Sequence, residues 1–538
     1  MPTLATTNFN IVLSVLGGWV SLYGSVSYLL KESFYVSGAP ISLLAGVALS
    51  PPAVNFIRPL DYALGSPDNL AAVTLGLSRL ALGVQLVLAG AQLPGRYLAK
   101  QWRPLALLAG PAAAAAWLVT SLLVWALIVP EGGRRGRLPL PHALAVGACL
   151  APATDPVLLA TAVARGRFAD RNLPRDLQDI VVAESGAATG VGGYLCLFLV
   201  LYLVKFTGDW DGDGDGGVRA AMGLWFGETW GYTVLLGIAY GAAVGCVARG
   251  LLRWAGERRF VDSESFLVPA VALALFVVGT CGMFGSGDVL ACFAAGSALA
   301  WGESGRFRLE VLDDSLQPTV NLLLHVPVFM WYGAVCPWDL FRTSSAVPLE
   351  RLVALGVSVL LLRRLPWVLA FYKFIPQIEG PWQAVFVGFF GPVGVSAIYH
   401  LYIALAFLRT LDIDGRPRVD VEALPETVTV VVWFVVICSV FEFVHGLSIP
   451  LGKLSYYLPE TNTRGALSSS SPSGYPEPFA FGNRTSSLGT RRRPVDDAGD
   501  ELGTGFRRSV FRIDGSAIRK VHESSTRAVL NRDALHHQ

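Results

Sequence analysis

A chain of 538 residues that is 53% hydrophobic and 15% charged, with a mean hydropathy of +0.50, lies outside the range of soluble globular domains and reads as a polytopic membrane protein. Its 42 basic and 40 acidic residues leave a formal charge of +2, which offers no electrostatic footprint for nucleic acid and points instead to signs segregated by loop. Seven cysteines (149, 196, 246, 281, 292, 336 and 438) stand singly in apolar runs without CxxC spacing, the pattern of buried thiols. No nucleophile with its base and no metal-ligand cluster marks an enzyme.

A hydrocarbon layer of ~30 Å needs about 20 apolar residues per crossing. Such runs recur at 9–30, 41–57, 70–93, 105–129, 142–164, 177–205, 230–249, 266–284, 288–301, 320–338, 352–372, 384–408 and 428–445. The expectation is an all-α protein of about 13 transmembrane helices. No basic segment precedes the first run, so we expect a span there and not a cleaved signal peptide. Loops with Arg96, Lys100 and Arg103, with Arg165 to Arg175, and with Arg249, Arg253, Arg258 and Arg259 alternate as cytoplasmic, whereas the loop with Arg134, Arg135 and Arg137 disagrees. The majority puts the C-terminus inside and, with an odd count, the N-terminus outside. Losing the short second span would reverse the N-terminal side.

On the opposite side, Asp209, Asp211, Asp213 and Asp215 alternate as at the opening of an EF-hand. The twelfth position, where a calcium loop needs a bidentate acid, is Ala220, so we read an exposed turn. From about Lys453 the hydrophobic pattern gives way to Ser-, Pro- and Gly-rich sequence with Arg491, Arg492 and Arg493. Residues 1–452 therefore read as the membrane domain and 453–538 as a disordered cytoplasmic tail, whose arginines either reach anionic lipid or are merely solvated.

The stretch 151–203 organises the rest. Two apolar runs flank a basic loop, and each is interrupted by polar or acidic residues: Thr154, Asp155 and Pro156, then Glu184 and Ser185. An ionisable group in hydrocarbon is costly unless it faces a cavity or a partner, so its default reading is functional. Pro156 removes a backbone donor, as in broken helices that bind ions near the bilayer midplane. His325 and His400, also in apolar runs, read as satisfied structural groups ahead of proton relays.

TDPVLLATAV, GRFADRNLP and AESG, followed by FGSGDVLACFAAGSALAW (284–301), LLLRRLPWVLAFYKFIP (360–376) and GFFGPVGVSAIY (388–399), occur in the order that resembles the fungal plasma-membrane sodium/proton antiporters of the monovalent cation/proton antiporter superfamily. The resemblance runs to about His445. It implies inverted repeats with crossed unwound helices, a core domain that moves against a dimerisation panel, a homodimer in membrane lipid, and sodium or potassium with protons as cargo and no cofactor.

By the same resemblance, Thr154 and Asp155 match the unwound-helix pair, and Glu184 and Ser185 the acid and hydroxyl. Arg364 is the counterpart of an arginine pairing with that acid. We read Glu184 and Arg364 as a clamp between helices ahead of a direct ion contact, since a fully paired acid has little left for a cation. One departure stands out. The family continues AESG with an Asn-Asp pair whose aspartate carries cation and proton in turn, and this chain has Ala188 and Thr189. Thr189 lies four residues beyond Ser185, on one helical face, and its hydroxyl can ligate sodium but cannot exchange a proton near neutral pH.

Asp155 then remains as the ion- and proton-binding carboxylate, because one group that takes either a cation or a proton meets the minimum for exchange. Its alternative role is to cap the broken helix. Asp288, where the family often has two adjacent acids, belongs either to the ion pathway or to the water interface. The function that follows is an antiporter; the competing reading is a transport-inactive sensor or scaffold.

Overall fold

A computed structural model describes residues 8–33, 38–128, 138–150, 154–162, 173–206, 214–258, 267–302, 317–344, 347–389, 391–411 and 421–448. Arg134 to Arg137, most of the basic loop after Ala164, Asp209 to Asp213 and the tail 453–538 lie outside the described residues. Every regular element within them is helical.

In chain order these are α1 (Asn8–Ser33), α2 (Gly38–Leu49), α3 (Pro67–Gln92), α4 (Trp102–Leu127), α5 (Leu140–Leu150), α6 (Pro156–Ala162), α7 (Arg175–Phe206) and α8 (Gly217–Glu257). There follow α9 (Leu267–Phe284), α10 (Asp288–Leu299), α11 (Gln317–Val335), α12 (Leu349–Phe374), α13 (Pro381–Phe389), α14 (Val395–Arg409) and α15 (Leu424–Ser448). Six of them, α3, α4, α7, α8, α12 and the apolar part of α15, are long and apolar enough to cross a bilayer alone. The pairs α5/α6 and α13/α14 flank the non-helical residues 154–155 and 391–394, and each pair makes one broken crossing. With α1, α2, α9, α10 and α11 the described residues give thirteen crossings, one for each apolar run in the sequence.

The broken crossings are the fifth and the twelfth. They stand seven crossings apart, so they traverse the membrane in opposite directions, each as the fifth member of a set of six with α8 between the sets. Packing repeats in the same inverted sense. Helix α2 lies along α11, and α3 lies along α10; exchanging the two sets turns one pair into the other. Both contacts are close for the same reason. A Cβ on Gly46 or Gly333 would strike the backbone of Met330 or Leu43, and one on Gly90 or Gly296 would strike that of Ser297 or Val87. Without a hydrophobic force between helices in lipid, such small-residue contact supplies the packing energy.

Two groups of helices result. In one, α4 packs on α5, α7 on α5, α12 on α4 and on α15, and α14 on α15. In the other, α3, α8 and α9 surround α10, and α2 packs on α11. The first contains both broken crossings and is the core; the second is the panel. Helix α3 touches α14 and α6, and α10 touches the middle of α7, which forms the seam between the two groups. Wide π-turns interrupt α4 at Leu108–Ala112, which contains Pro111, and α7 at Ala188–Gly192. Such turns recur at functional sites.

Candidate ion site

The site is built by the two breaks. Helix α6 begins at Pro156, which needs no amide partner, after the non-helical residues Thr154 and Asp155. Helix α14 begins at Val395 after the irregular segment 391–394. The segments cross where the Asp155 N–H donates to the Pro392 carbonyl at 2.8 Å. Gly394 allows this approach: a Cβ there would lie 3.1 Å from the Asp155 carboxylate and 2.7 Å from Leu158 Cδ1.

Asp155 is fully buried, and four donors fill its carboxylate. Val157 N–H and Leu158 N–H reach Oδ1 at 2.9 and 3.0 Å; Ser396 N–H and Oγ–H reach Oδ2 at 2.7 and 3.1 Å. Three of the donors are free amides of two half-helix N-termini and the fourth is the Ser396 hydroxyl, so one negative charge answers two positive helix ends. An ionised carboxylate has about four acceptor sites. In this conformation a proton or a cation reaches either oxygen only by displacing a donor, and the Ser396 hydroxyl, which can turn a lone pair outward, is the one that yields most readily.

The opposite helix ends carry the complementary charge. Arg363, 3% exposed, donates to the carbonyls of Leu150, at 3.0 Å, and Gly391, where α5 and α13 stop. Sequence reasoning passed over it. The signal was there: two consecutive arginines within an apolar run cannot both sit in lipid, and each needs a buried acceptor. Arg364 donates from Nε to the Val387 carbonyl at 3.0 Å, from Nη2 to Glu184 Oε2 at 2.7 Å, and to the Thr154 hydroxyl. Glu184 and Arg364 are 2% and 5% exposed by side chain. The pair joins α7 to the bend of α12 and, through Thr154, to the crossover.

Thr189 is buried in the π-turn of α7, where its hydroxyl donates to the Thr154 carbonyl at 3.4 Å. Ser185 turns its hydroxyl back to the Val182 carbonyl of its own helix at 2.8 Å. Thr154, Asp155 and Thr189 are thus brought together, with Ser396 as a fourth oxygen that the sequence did not single out, while the Ser185 hydroxyl bonds within its own helix. Among the described residues no three His, Cys, Asp or Glu side chains form a metal cage.

A second polar cluster occupies the seam. Asp288, 2% exposed, opens α10 with its Oδ1 accepting from the Val289 N–H at 2.9 Å. Its Oδ2 accepts from Arg79 Nε of α3 at 2.6 Å, and Oδ1 also accepts from the Tyr399 hydroxyl of α14 at 3.0 Å. The Tyr399 and Tyr194 hydroxyls are hydrogen-bonded to each other. His325 lies apart, in the panel, with Gln85 at 3.4 Å. His400 lies in the core, its Nδ1 2.6 Å from the Ser396 carbonyl.

Two half-helix pairs crossing at a buried carboxylate, with arginine at their far ends, define a membrane protein of the crossed-helix kind. The chain belongs to the sodium/hydrogen exchanger family, which it matches over residues 20–451. It is 31% identical over 449 residues to a probable Na+/H+ antiporter of Schizosaccharomyces pombe, with 82% of this chain and 55% of that protein covered. It is 29% identical over 465 residues to a Na+/H+ antiporter of Saccharomyces cerevisiae, with 85% and 44% covered. The chain thus spans about half the length of these relatives. A Na+/H+ antiporter of S. pombe is 27% identical, with 84% of this chain and 92% of that protein covered. The fold is similar to that of the sodium proton antiporter MjNhaP1 from Methanocaldococcus jannaschii, with a TM-score of 0.59, 15% identity, and 84% and 99% of the two chains covered.

Proposed function

We propose that this chain is a secondary antiporter that exchanges sodium or potassium for protons across the plasma membrane, with Asp155 as its ion-binding carboxylate. The observation that carries the reading is the buried Asp155 at the meeting point of two half-helix N-termini, beside the oxygens of Thr154, Thr189 and Ser396. A cation entering there trades the Ser396 donors for its own charge and finds neutral oxygens ready. Glu184 and Arg364 hold α7 and α12 to the crossover and do not contact the cargo. The panel, with apolar Val247 and Leu251 of α8 facing outward, forms a homodimer in lipid while the core moves. The tail 453–538 is cytoplasmic. Mass measurement in a mild detergent that returns only monomers would remove the dimer.

A second reading, a transport-inactive sensor or scaffold, is favoured by Ala188 and Thr189 at the positions of the family's Asn-Asp pair. Proton flux in proteoliposomes under an imposed sodium or potassium gradient separates the two. The antiporter acidifies or alkalinises the lumen with the sign of the gradient. Silence of the natural chain, with transport appearing in Thr189→Asp, would identify an inactivated exchanger with an intact frame.

A further inference from the structure

The imidazole of His400 has a nitrogen that the fold leaves without a partner. His400 is 0% exposed, and its Nδ1 lies 2.6 Å from the Ser396 carbonyl. A carbonyl can only accept, so Nδ1 carries the hydrogen and Nε2 of the neutral ring is a bare acceptor. No donor among the described residues reaches it. A buried polar atom without a partner is costly in a low-dielectric interior and calls for an explanation.

Its position supplies one. Nε2 is directed at Gly193 of α7, where any Cβ would collide with the ring at Nε2, Cε1 and Cδ2. Gly193 is the residue that ends the π-turn holding Thr189. The unpartnered nitrogen therefore lies against the same helix, one turn beyond the position where this chain has a hydroxyl that cannot titrate. On its other edge the ring is linked to the ion site by a single residue: Ser396 accepts from His400 through its carbonyl and donates to Asp155 Oδ2 through both its N–H and its hydroxyl.

We infer that His400 Nε2 is the proton-binding atom of this exchanger, coupled to the cation at Asp155 through Ser396. The inference rests on the exchange reading and assigns the proton within it. A proton and a cation each reach the filled Asp155 carboxylate only by displacing a donor, whereas His400 Nε2 has a lone pair with no donor on it, so the carboxylate keeps the cation's role and the imidazole takes the proton's. In the proton-loaded state the Nε2 lone pair takes a proton from hydronium, whose O–H bond breaks to leave water, an N–H bond forms, and the ring becomes a cation. In the cation-loaded state that proton has returned to water. Two positive charges separated by one serine repel in a low-dielectric core, so loading one unloads the other. The other groups around the ring are Tyr194 and Tyr399, with ring centroids at 6.0 and 5.2 Å, and beyond Tyr399 the Asp288–Arg79 pair.

The full chain in proteoliposomes tests this with His400→Asn, which retains an N–H donor toward Ser396 and deletes the titrating nitrogen. Two activities are read: proton flux driven by a sodium gradient, and counterflow of radiolabelled against unlabelled sodium, which needs no proton. The expected result is proton flux lower by roughly tenfold or more, a residual rate that has lost the pH dependence of the natural chain, and counterflow retained. Proton flux that keeps the natural pH profile would overturn the inference, as would loss of both activities in a variant that remains folded. Should the variant not fold, the His400 imidazole resonance of the natural chain is titrated with and without saturating sodium. Sodium is expected to move the midpoint, and a titration indifferent to sodium overturns the inference. A natural chain that performs neither flux nor counterflow removes the exchange reading itself.

Discussion

Asp155 and Asp288 are both buried carboxylates at the start of a helix, yet their partners belong to different bodies. The Asp155 carboxylate takes all four of its hydrogen bonds from α6 and α14, both within the core. Asp288 is held from the panel by Arg79 and by its own helix, and from the core by Tyr399. Sliding the core along the panel leaves the first set intact and must break the second. In the exchange cycle proposed above the two acids would do different work: Asp155 as a site carried with its binding groups, Asp288 as a contact that favours the conformation seen here.

The comparison is broken most severely at Asp155. In Asp155→Asn an amide NH2 must face either the Ser396 N–H or the pair from Val157 and Leu158, so a donor meets donors whichever way the amide turns. Leaving such a buried group unsatisfied costs about 1–3 kcal/mol of stability, and the charge at the crossover is lost with it. Exchange is expected to be abolished, while Asp288→Asn, which keeps a carbonyl for Tyr399 or Arg79, is expected to leave exchange measurable at an altered rate. Flux assays on both variants decide this. Undiminished exchange in Asp155→Asn would move the ion site to Asp288.

The clamp gives the next largest effect and shows that the core holds together as a body. Glu184→Ala strands the Arg364 guanidinium in the protein interior, and removing one partner of a buried pair costs about 3–5 kcal/mol. The double variant Glu184→Ala/Arg364→Leu leaves no unpaired charge, so its thermal stability is expected to exceed that of Glu184→Ala alone. Additive losses would mean that the two side chains do not depend on one another.

How much of this was legible in the sequence depends on whether a signal was local. Thirteen crossings follow from apolar run length alone, and the break at Pro156 follows from its missing donor. The Glu184–Arg364 contact spans 180 positions and came from a family pattern, with the cost of unpaired charge making it physically reasonable. The partners of Asp155 were not readable, because three are backbone amides, which every residue has, and only a crossing of two chain segments brings in the Ser396 hydroxyl. The π-turn at Ala188–Gly192 was equally hidden. An ideal α-helical face relates Ser185 to Thr189, but the widened turn places the Thr189 hydroxyl on Thr154 while Ser185 bonds within its own helix. Asp288 was left between pathway and interface, because a position at the head of an apolar run does not reveal that a tyrosine from another helix meets it.

The smallest change is the sharpest test of the difference between the two acids. Tyr399→Phe keeps the ring in place and removes the hydroxyl that joins α14 to Asp288 across the seam, along with its bond to Tyr194 inside the core. A single hydrogen bond of this kind contributes about 0.5–1.5 kcal/mol, and since about 1.4 kcal/mol is tenfold in an equilibrium, opening of the seam should become a few-fold to tenfold more frequent. Amide hydrogen exchange reads this directly. The first turn of α10, from Asp288, is expected to exchange faster in the variant, whereas Val157, Leu158 and Ser396, whose N–H groups are bound to Asp155, are expected to keep their protection. That pattern would show the core moving with its site closed. Equal loosening at both acids would mean that the crossover and the seam open as one unit, and the separation between a carried site and a broken contact would fail.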